Sequence, residues 1–436
     1  MFLFSVWLTI AVAFLALLIG YGRSRDVFHP LVLTMPIFAF IYGYMPLTQA
    51  ASGELYSYIT KEQASFAQWL ALGVLLAFIA GCFRGAQTSV SPTGPPVVHD
   101  SRILYRGAMF LGGVGFLAWL YMLKAGGGLS GLYGSAYGGA WNDIGYVRDS
   151  VYLLLVAILI LLSPQVFAPR RVLWWVAIIL FAFPWVAQAL LGARRGPTFV
   201  LAMGIGVSCY LARNRRPSLA LTAAAGAAVG LLMLFLVANR GSIYLGSDKE
   251  FTTERVSATL DASPSNEYVF GAGCIAASRQ SGEYFWGRRI LAQIIVRPIP
   301  RQWWPNKYAD FGVPELEQNA GVAKGGLEAV LGWQEVPGAA AAMVADLWVE
   351  FSWGCIPFAG LWGWAYGYCW KRAVVSGGRW SVQYVIMLIL SIYLITQGLE
   401  AVVFRLIILS VPVWWLWRRA TAGRSPRGRL APAFAG

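Results

Sequence analysis

Two arginine-containing segments suggest chemistry in an otherwise apolar chain. In the first, Gly192-Ala-Arg-Arg-Gly-Pro197, Arg194 and Arg195 are adjacent and flanked by small residues. A guanidinium group is a planar, permanently charged fork that suits phosphate oxygens. Glycine lets the backbone approach a ligand, and Pro197 can begin a helix whose N-terminus also favours an anion. The segment therefore indicates an anion site; the alternative is two arginines that reach lipid headgroups.

The second segment combines positive charge with aromatic rings. Within eleven residues it holds three cations, three prolines and a tryptophan pair. The side chains concerned are Arg297, Arg301, Lys307, Trp303 and Trp304. Proline fixes the backbone, and indole rings suit a sugar face or the membrane interface. The pattern favours a polyanionic sugar ligand, and the alternative is an anchor on anionic lipid.

Three carboxylates are candidates for acid–base chemistry. Asp346 and Glu350 are four residues apart at the mouth of an apolar segment, so a helix would place them on one face. An acid at the mouth of a membrane span is costly to keep and is therefore a functional candidate. The alternative is that both acids pair with loop arginines. Glu317, within the loop, is a third candidate for the general base.

Other catalytic classes lack their residues in this chain. His29 and His99 are the only histidines, and both are predicted on the cytoplasmic side, so a base outside the membrane is not histidine. The sequence contains no P-loop, nucleophile-elbow motif or zinc-ligand spacing. These absences exclude an ATPase, and we expect no cofactor and no metal ion.

The elements that must position these residues are membrane-spanning helices. The chain is 58% hydrophobic and 12% charged, whereas a soluble domain carries about 25% charged residues. Its apolar runs approach the roughly 20 residues that a bilayer crossing needs. The predicted spans are 2–20, 28–47, 66–83, 104–123, 151–167, 172–191, 198–211, 219–237, 347–370, 382–398 and 402–417. The sequence therefore predicts an all-α polytopic integral membrane protein with about eleven transmembrane helices.

The basic residues of the short loops predict the orientation of these spans. Alternate loops hold the arginine clusters, and only Asp26 and Asp100 among the acids fall on that side, which is predicted to be cytoplasmic. The N-terminus is then outside and the C-terminus inside. The predicted parts are helices 1–8 in residues 1–237, a large external (periplasmic) loop in 238–338, helices 9–11 in 339–417 and a basic cytoplasmic tail in 418–436. The net charge of +14 thus reflects topology rather than nucleic-acid binding.

The predicted loop contains one amphipathic stretch, residues 284–296. Its apolar side chains can share one helical face, with Arg288 and Arg289 turned away. The apolar set is Trp286, Ile290, Leu291, Ile294 and Ile295.

These features resemble the oligosaccharide repeat-unit polymerases, the Wzy-type O-antigen polymerases of bacterial envelopes. Three segments carry the resemblance. They are the arginine turn 192–196 before an apolar span, the loop segment 287–307 ending in Ile-Pro-Arg-Gln-Trp-Trp-Pro-Asn-Lys, and Asp-Leu-Trp-Val-Glu-Phe-Ser-Trp-Gly at 346–354. The related O-antigen ligases use a histidine in the large external loop. This chain has none there, which argues against the ligase branch.

The resemblance implies a glycosyltransferase of the bacterial inner membrane. It would polymerise lipid-linked repeat units at the outer face, moving the growing glycan from polyprenyl pyrophosphate to a new repeat unit, for O-antigen, capsule or exopolysaccharide. The assigned roles are pyrophosphate binding by Arg194, Arg195, Arg297, Arg301 and Lys307, sugar stacking by Trp303 and Trp304, and base catalysis by Asp346, Glu350 or Glu317.

The expected partners are the lipid-linked oligosaccharide, the bilayer, a flippase and a chain-length regulator. Three other classes stay open from the sequence. They are a flippase or transporter of lipid-linked glycans, a ligase-like transferase, and a structural partner in an envelope complex. A transporter should carry charges inside several spans and a repeat between its halves, and we find few such charges and no repeat.

Overall fold

The fold is built from helices. The computed structural model describes residues 1–89, 99–135, 145–247, 249–252, 261–263, 266–314, 316, 327–333 and 339–422, and within these ranges no strand occurs. The helices are α1 (Phe2–Ser24), α2 (Pro30–Ala51), α3 (Lys61–Ala86), α4 (Ser101–Ala125), α5 (Gly128–Tyr133), α6 (Gly145–Ser150), α7 (Tyr152–Leu161), α8 (Val172–Leu190), α9 (Arg195–Ala212), α10 (Leu219–Ala238), α11 (Arg240–Ile243), α12 (Glu267–Ser281), α13 (Arg288–Leu291), α14 (Lys307–Asp310), α15 (Leu327–Leu331), α16 (Ala342–Phe351), α17 (Cys355–Ser376), α18 (Arg379–Thr396) and α19 (Leu399–Ala422).

Among the described residues, eight helices are long and apolar enough to cross a membrane, namely α1, α2, α3, α4, α8, α10, α18 and α19. They coincide with eight of the predicted spans, which confirms a polytopic α-helical membrane protein. The other predicted spans, 151–167, 198–211 and 347–370, fall on α7, on α9 and on α16 with α17. Helix α7 has only 10 residues. A 3₁₀ turn at Ser352–Gly354 separates α16 from α17, so that predicted span is two helices.

Helices α3 and α17 form the most extensive helix pair among the described residues, and glycine makes their close approach possible. A Cβ atom at Gly363 would lie 2.1 Å from the Phe78 carbonyl oxygen. One at Gly367 would lie 2.0 Å from the Cys82 carbonyl oxygen. Such contact is impossible for any larger residue. Small residues that bring backbones together are typical of helix association in membranes.

Helix α18 lies at the centre of the bundle, whereas α10 lies at its margin. In the most apolar stretch of α18, 89% of the residues are buried; the corresponding share for α10 is 6%. Helix α18 packs against α9, α17 and α19. It therefore carries Tyr393, near its C-terminal end, into the interior beside the first turn of α9.

Helix α12 is a buried element that the sequence analysis did not foresee. It lies within the predicted loop 238–338 and begins after Asn266, whose side chain accepts hydrogen bonds from the N–H groups of Tyr268 and Val269. All its residues from Glu267 to Ser278 are buried. It packs against α16, α15 and α3. Part of the predicted loop thus belongs to the helical core.

Replacement of Gly363 by alanine tests the close approach of α3 and α17. The added methyl group must push the Phe78 backbone away, so we expect a loss of roughly 1–3 kcal/mol or more from overpacking. The measurement is the thermal midpoint of the detergent-solubilised protein. Gly113→Ala is the matched control, because a Cβ there meets no atom within 4 Å. Equal midpoints for the two variants would contradict the glycine-mediated contact.

Candidate anion site and its supporting ion pairs

A tight turn between α8 and α9 places the predicted arginine pair. The Arg194 N–H donates to the Ala189 carbonyl oxygen at 3.2 Å, and Ala193 takes a φ of 46°, which closes the turn. Arg194 is the N-cap residue of α9 and Arg195 is its first residue. A Cβ atom at Gly196 would lie 2.6 Å from the Tyr393 hydroxyl. The glycine of this motif therefore lets the first turn of α9 lie against α18.

Two further arginines join this pair, and together the four form the arginine cluster: Arg194, Arg195, Arg240 and Arg405. Burial lowers the pKa of the Arg194 guanidinium, and the positive charge of Arg240 lowers it further, whereas nearby tyrosines raise it. Arg195 forms an ion pair with Glu267, the first residue of α12. Arg405, in the second turn of α19, shares the neighbours Tyr152 and Tyr393 with Arg194, so the four guanidinium groups lie at one end of the bundle.

Arg405 lies on α19 and is held by tyrosines. Its Nε atom donates to the Tyr152 hydroxyl at 2.6 Å. Its guanidinium lies 4.4 Å from the centroid of the Tyr393 ring, and it also donates to the Ala401 carbonyl oxygen. Within the described part of the chain, neither Arg405 nor Arg240 forms an ion pair with a carboxylate. Phenol groups orient a guanidinium without neutralising its charge, so Arg405 keeps positive charge for an anion even though the Asp149 carboxylate, which pairs with Arg297, also attracts it.

A second group of charges, which we call the Arg289 network, lies beside this cluster and is balanced by acids. The Arg289 side chain is 5% exposed and contacts the carboxylates of Asp346 at 3.1 Å, Glu350 at 3.4 Å and Glu400. Burial alone would lower the pKa of Arg289, but the three carboxylates outweigh this and raise it above its ordinary value. A buried charge needs such partners, because desolvation of an unpaired ion is very costly.

The acids of the Arg289 network also bind backbone groups. The Oδ2 atom of Asp346 accepts from the N–H groups of Leu399 and Glu400, at 2.7 and 3.3 Å, and so caps the N-terminus of α19. The Oε2 atom of Glu350 accepts from the Gly287 N–H at 2.9 Å. The network therefore joins α13, α16 and α19, and it uses the predicted candidates Asp346 and Glu350 as ion-pair partners of a loop arginine.

A hydrogen-bonded chain continues from this network to Arg297. Glu400 accepts from Gln293 at 2.8 Å, and Gln293 accepts from Arg297 at 2.9 Å. Arg297 donates to both carboxylate oxygens of Asp149, at 3.1 and 2.9 Å, and lies 4.0 Å from the Phe404 ring centroid. The predicted pyrophosphate ligand Arg297 thus has a carboxylate partner, unlike Arg405.

The remaining predicted residues have varied surroundings. Lys307 is buried, and its ammonium donates to the carbonyl oxygens of Val296 and Arg297, both at 3.1 Å, and of Ile299. It thereby stabilises the end of the helical turn after α13, as a cation does at a helix C-terminus. Trp303 is 81% exposed and Arg301 is also exposed. Trp304 donates to Asp310 at 2.6 Å. Glu317 lies outside the described residues.

The amphipathic stretch turns Arg289 inward but leaves Arg288 exposed beside the apolar side chains, so the prediction that both arginines face away from the apolar residues is wrong. Trp286, Leu291, Ile294 and Ile295 are exposed, whereas Arg289 is buried. In a soluble protein this arrangement would be costly. It fits a segment whose outer side meets hydrocarbon or the membrane interface.

Sequence analysis missed half of the arginine cluster and most of its partners. Arg405 lies within the apolar run predicted as 402–417, and a charge inside such a run is itself a functional signal. That signal could have found Arg405. No feature of the sequence around Arg240 predicts a functional role. Arg240 comes near Arg194 only through the packing of α10 against α9.

Comparison of the chain with known proteins adds no relative. It matches no protein-family model, no curated protein and no solved structure. Fold and site together define a polytopic α-helical membrane protein with a cationic cluster at one end of its helices.

Loss of the Arg289 guanidinium should destabilise the protein strongly. Arg289→Met leaves three carboxylates without their cation, and breaking a buried ion pair in this way costs about 3–5 kcal/mol. We expect a lower thermal midpoint in detergent and faster proteolysis near α13. Arg288→Met is the control, because Arg288 is the exposed neighbour and should have an effect within about 0.5 kcal/mol. A wild-type midpoint for Arg289→Met would show that the network contributes little.

Proposed function

We propose that this protein polymerises lipid-linked oligosaccharide repeat units at the outer face of a bacterial inner membrane. The acceptor hydroxyl of a new repeat unit attacks the anomeric carbon of the growing glycan. The bond from that carbon to pyrophosphate breaks, and pyrophosphate leaves on its polyprenyl lipid. The hydroxyl proton passes to a base. The activation is already present in the leaving group, so the reaction uses no nucleotide sugar.

The observation that carries this proposal is the arginine cluster. Pyrophosphate develops additional negative charge as it leaves, and fixed cations aimed at that charge are usually the largest catalytic contribution. Arg240 and Arg405 lack a carboxylate partner among the described residues, and Arg194 and Arg195 adjoin them. We assign pyrophosphate binding to these four groups. Lys307 is assigned to the support of α13, because three carbonyl oxygens occupy its ammonium.

The carboxylates receive distinct roles in this proposal. Asp346 is 2% exposed and the Glu350 side chain is fully buried, so both are assigned to hold Arg289 and the N-terminus of α19. A general base must reach the acceptor hydroxyl directly or through one water molecule. Glu317 therefore stays our candidate for the base. The exposed Trp303 stays the candidate for stacking on a sugar.

The finer topology belongs to the same proposal. We take α7, α9 and α17 as three further, shorter or more polar crossings beside the eight long helices, which gives the eleven spans of the sequence analysis. The N-terminus is then outside, the C-terminus is cytoplasmic and the 238–338 segment is periplasmic. The arginine cluster supports the crossings of α9 and α10, because Arg195 at the start of α9 and Arg240 after the end of α10 lie near one another, as antiparallel crossings require.

The deciding experiment is deletion of the gene in its host. We expect the ladder of long surface glycans to collapse to single repeat units, because initiation, flipping and attachment remain while polymerisation stops. Wild-type protein should restore the ladder. With Arg240→Ala or Arg405→Ala, the amount of long glycan should be less than about one hundredth of that restored by the wild-type protein. Loss of one fixed donor to a developing charge lowers catalysis on this scale. The readout is a glycan gel with protein levels checked in parallel.

Arg106→Ala is the matched control for these variants. Arg106 is an exposed arginine near the N-terminal end of α4, which the topology places on the cytoplasmic side, and it should restore the full ladder. Repeat units trapped on the cytoplasmic face after deletion would instead identify a flippase. An unchanged ladder in a host without a second polymerase would refute the proposal.

A further inference from the structure

An apolar crevice lies between α8 and α9, directly beneath the arginine turn. It has a volume of about 440 Å³. Helix α8 contributes Val186 and Leu190, which are four residues apart, and α9 contributes Thr198, Leu201, Ile205 and Gly206. These spacings place each set on one helical face. With a rise of 1.5 Å per residue, the α9 wall extends for about 12 Å along the helix.

The upper end of the crevice adjoins the backbone of the arginine turn, at Arg194. Thr198, at its upper end, donates to the carbonyl oxygen of Arg194 at 3.0 Å. Ala189 also lines the crevice and accepts from the Arg194 N–H. Arg194 and Arg195 therefore lie within one helical turn of the apolar walls. Cations at one end and hydrocarbon below match a molecule with an anionic head and an apolar chain.

The crevice opens sideways, towards the region that lipid would occupy. On α8, Ile179, Phe183, Val186 and Leu190 recur at helical spacing and are all exposed. Helix α10 also packs against α9 but contributes no residue to the lining of the crevice. A Cβ atom at Gly206 would meet no atom within 4 Å, so the floor of the crevice is open as well. A lipid chain can thus enter from the bilayer without passing through the protein.

We infer that this crevice binds the isoprenoid chain of a pyrophosphate-linked lipid whose head lies on the arginine cluster. The choice of occupant rests on the proposed function. It also follows from charge, because a single phosphodiester of an ordinary phospholipid carries one negative charge, whereas the cluster contains two guanidinium groups, Arg240 and Arg405, that form no ion pair with a carboxylate among the described residues. Pyrophosphate carries enough charge to engage both of them at once.

The crevice would fix the lipid rather than extract it from water. Hydrocarbon in a bilayer is already out of water, so apolar burial provides little driving force there. What the walls add is contact with a chain held in one position. This would align the anomeric bond with the acceptor, and correct alignment of reacting groups contributes to catalysis.

The test uses purified protein in phosphatidylcholine nanodiscs with two probes, undecaprenyl pyrophosphate and inorganic pyrophosphate. Gly206→Trp fills the crevice without a clash at Cβ. We expect it to weaken binding of undecaprenyl pyrophosphate, because the indole ring takes the space that the lipid chain would occupy. Binding of inorganic pyrophosphate should not change. Arg240→Ala should weaken both probes.

The matched control is Gly113→Trp, since Gly113 is also an open glycine of an apolar helix but lies on α4, outside the crevice. It should bind both probes like the wild type. Unchanged binding of undecaprenyl pyrophosphate by Gly206→Trp, or no binding by the wild type, would overturn the inference. Equal competition by phosphatidylglycerol would also overturn it, because the crevice would then take ordinary bilayer lipid.

The two proposals can fail separately. If Gly206→Trp loses the lipid probe but deletion of the gene leaves the glycan ladder intact, the lipid site stands and the polymerase proposal fails. If the ladder depends on Arg240 and Arg405 but Gly206→Trp binds the lipid probe normally, only the crevice assignment fails.

Discussion

Burial of Arg289 is the constraint on which the geometry of the site end depends. Its guanidinium cannot remain charged in the interior unless carboxylates surround it, and the three that do so come from α16 and α19. This requirement positions α13 against both helices. It also fixes the α18–α19 junction, where Gly398 has a φ of +123° and a Cβ would lie 2.6 Å from Asp346. The start of α19, and hence the direction of Arg405, follows from that junction.

Two kinds of arginine lie side by side at this end of the bundle. Arg289 and Arg297 are matched by acids, and their charges hold elements together. Arg405 is matched by the tyrosines Tyr152 and Tyr393, which orient it while leaving its charge in place. The ion pairs of Arg289 and Arg297 hold in place the helix that carries Arg405. Preorganisation of this type is what an anion site requires, because cations that must rearrange during a reaction stabilise its charge less.

The sequence predicts the fold class well because membrane spans leave a strong local signal. The length and hydropathy of the apolar segments predicted all eight long helices but did not predict α12. Its apolar run, Gly-Ala-Gly-Cys-Ile-Ala-Ala, consists mostly of small residues and is too short to be predicted as a membrane span. It is helical because α16, α15 and α3 pack around it. Tertiary contacts can impose helix where local propensity is weak.

The candidate site could be predicted only in part, for a related reason. The Arg194–Arg195 turn was found because adjacent arginines are unusual in a predicted external turn. Lys307 was expected to bind phosphate, but carbonyl oxygens that fold back from residues 296–299 enclose it. Arg240 enters the cluster only through the pairing of α10 with α9. The charges of a segment can be read locally, whereas the partners that neutralise them lie far away in the chain.

Small residues explain why the cationic end of α8 and α9 carries a crevice rather than a packed contact. The connecting turn contains Gly192, Ala193 and Gly196, none of which has a side chain that could extend down between the helices. Helix α9 turns its larger residues Phe199 and Val200 inward, where they are buried. Its outer face at Ala202 and Gly206 is left with little bulk. The small residues that let Gly196 lie against Tyr393 therefore also leave the space below the arginines open. A substitution that fills this space should act on the lipid and leave the fold intact, whereas one at Gly196 should disturb both.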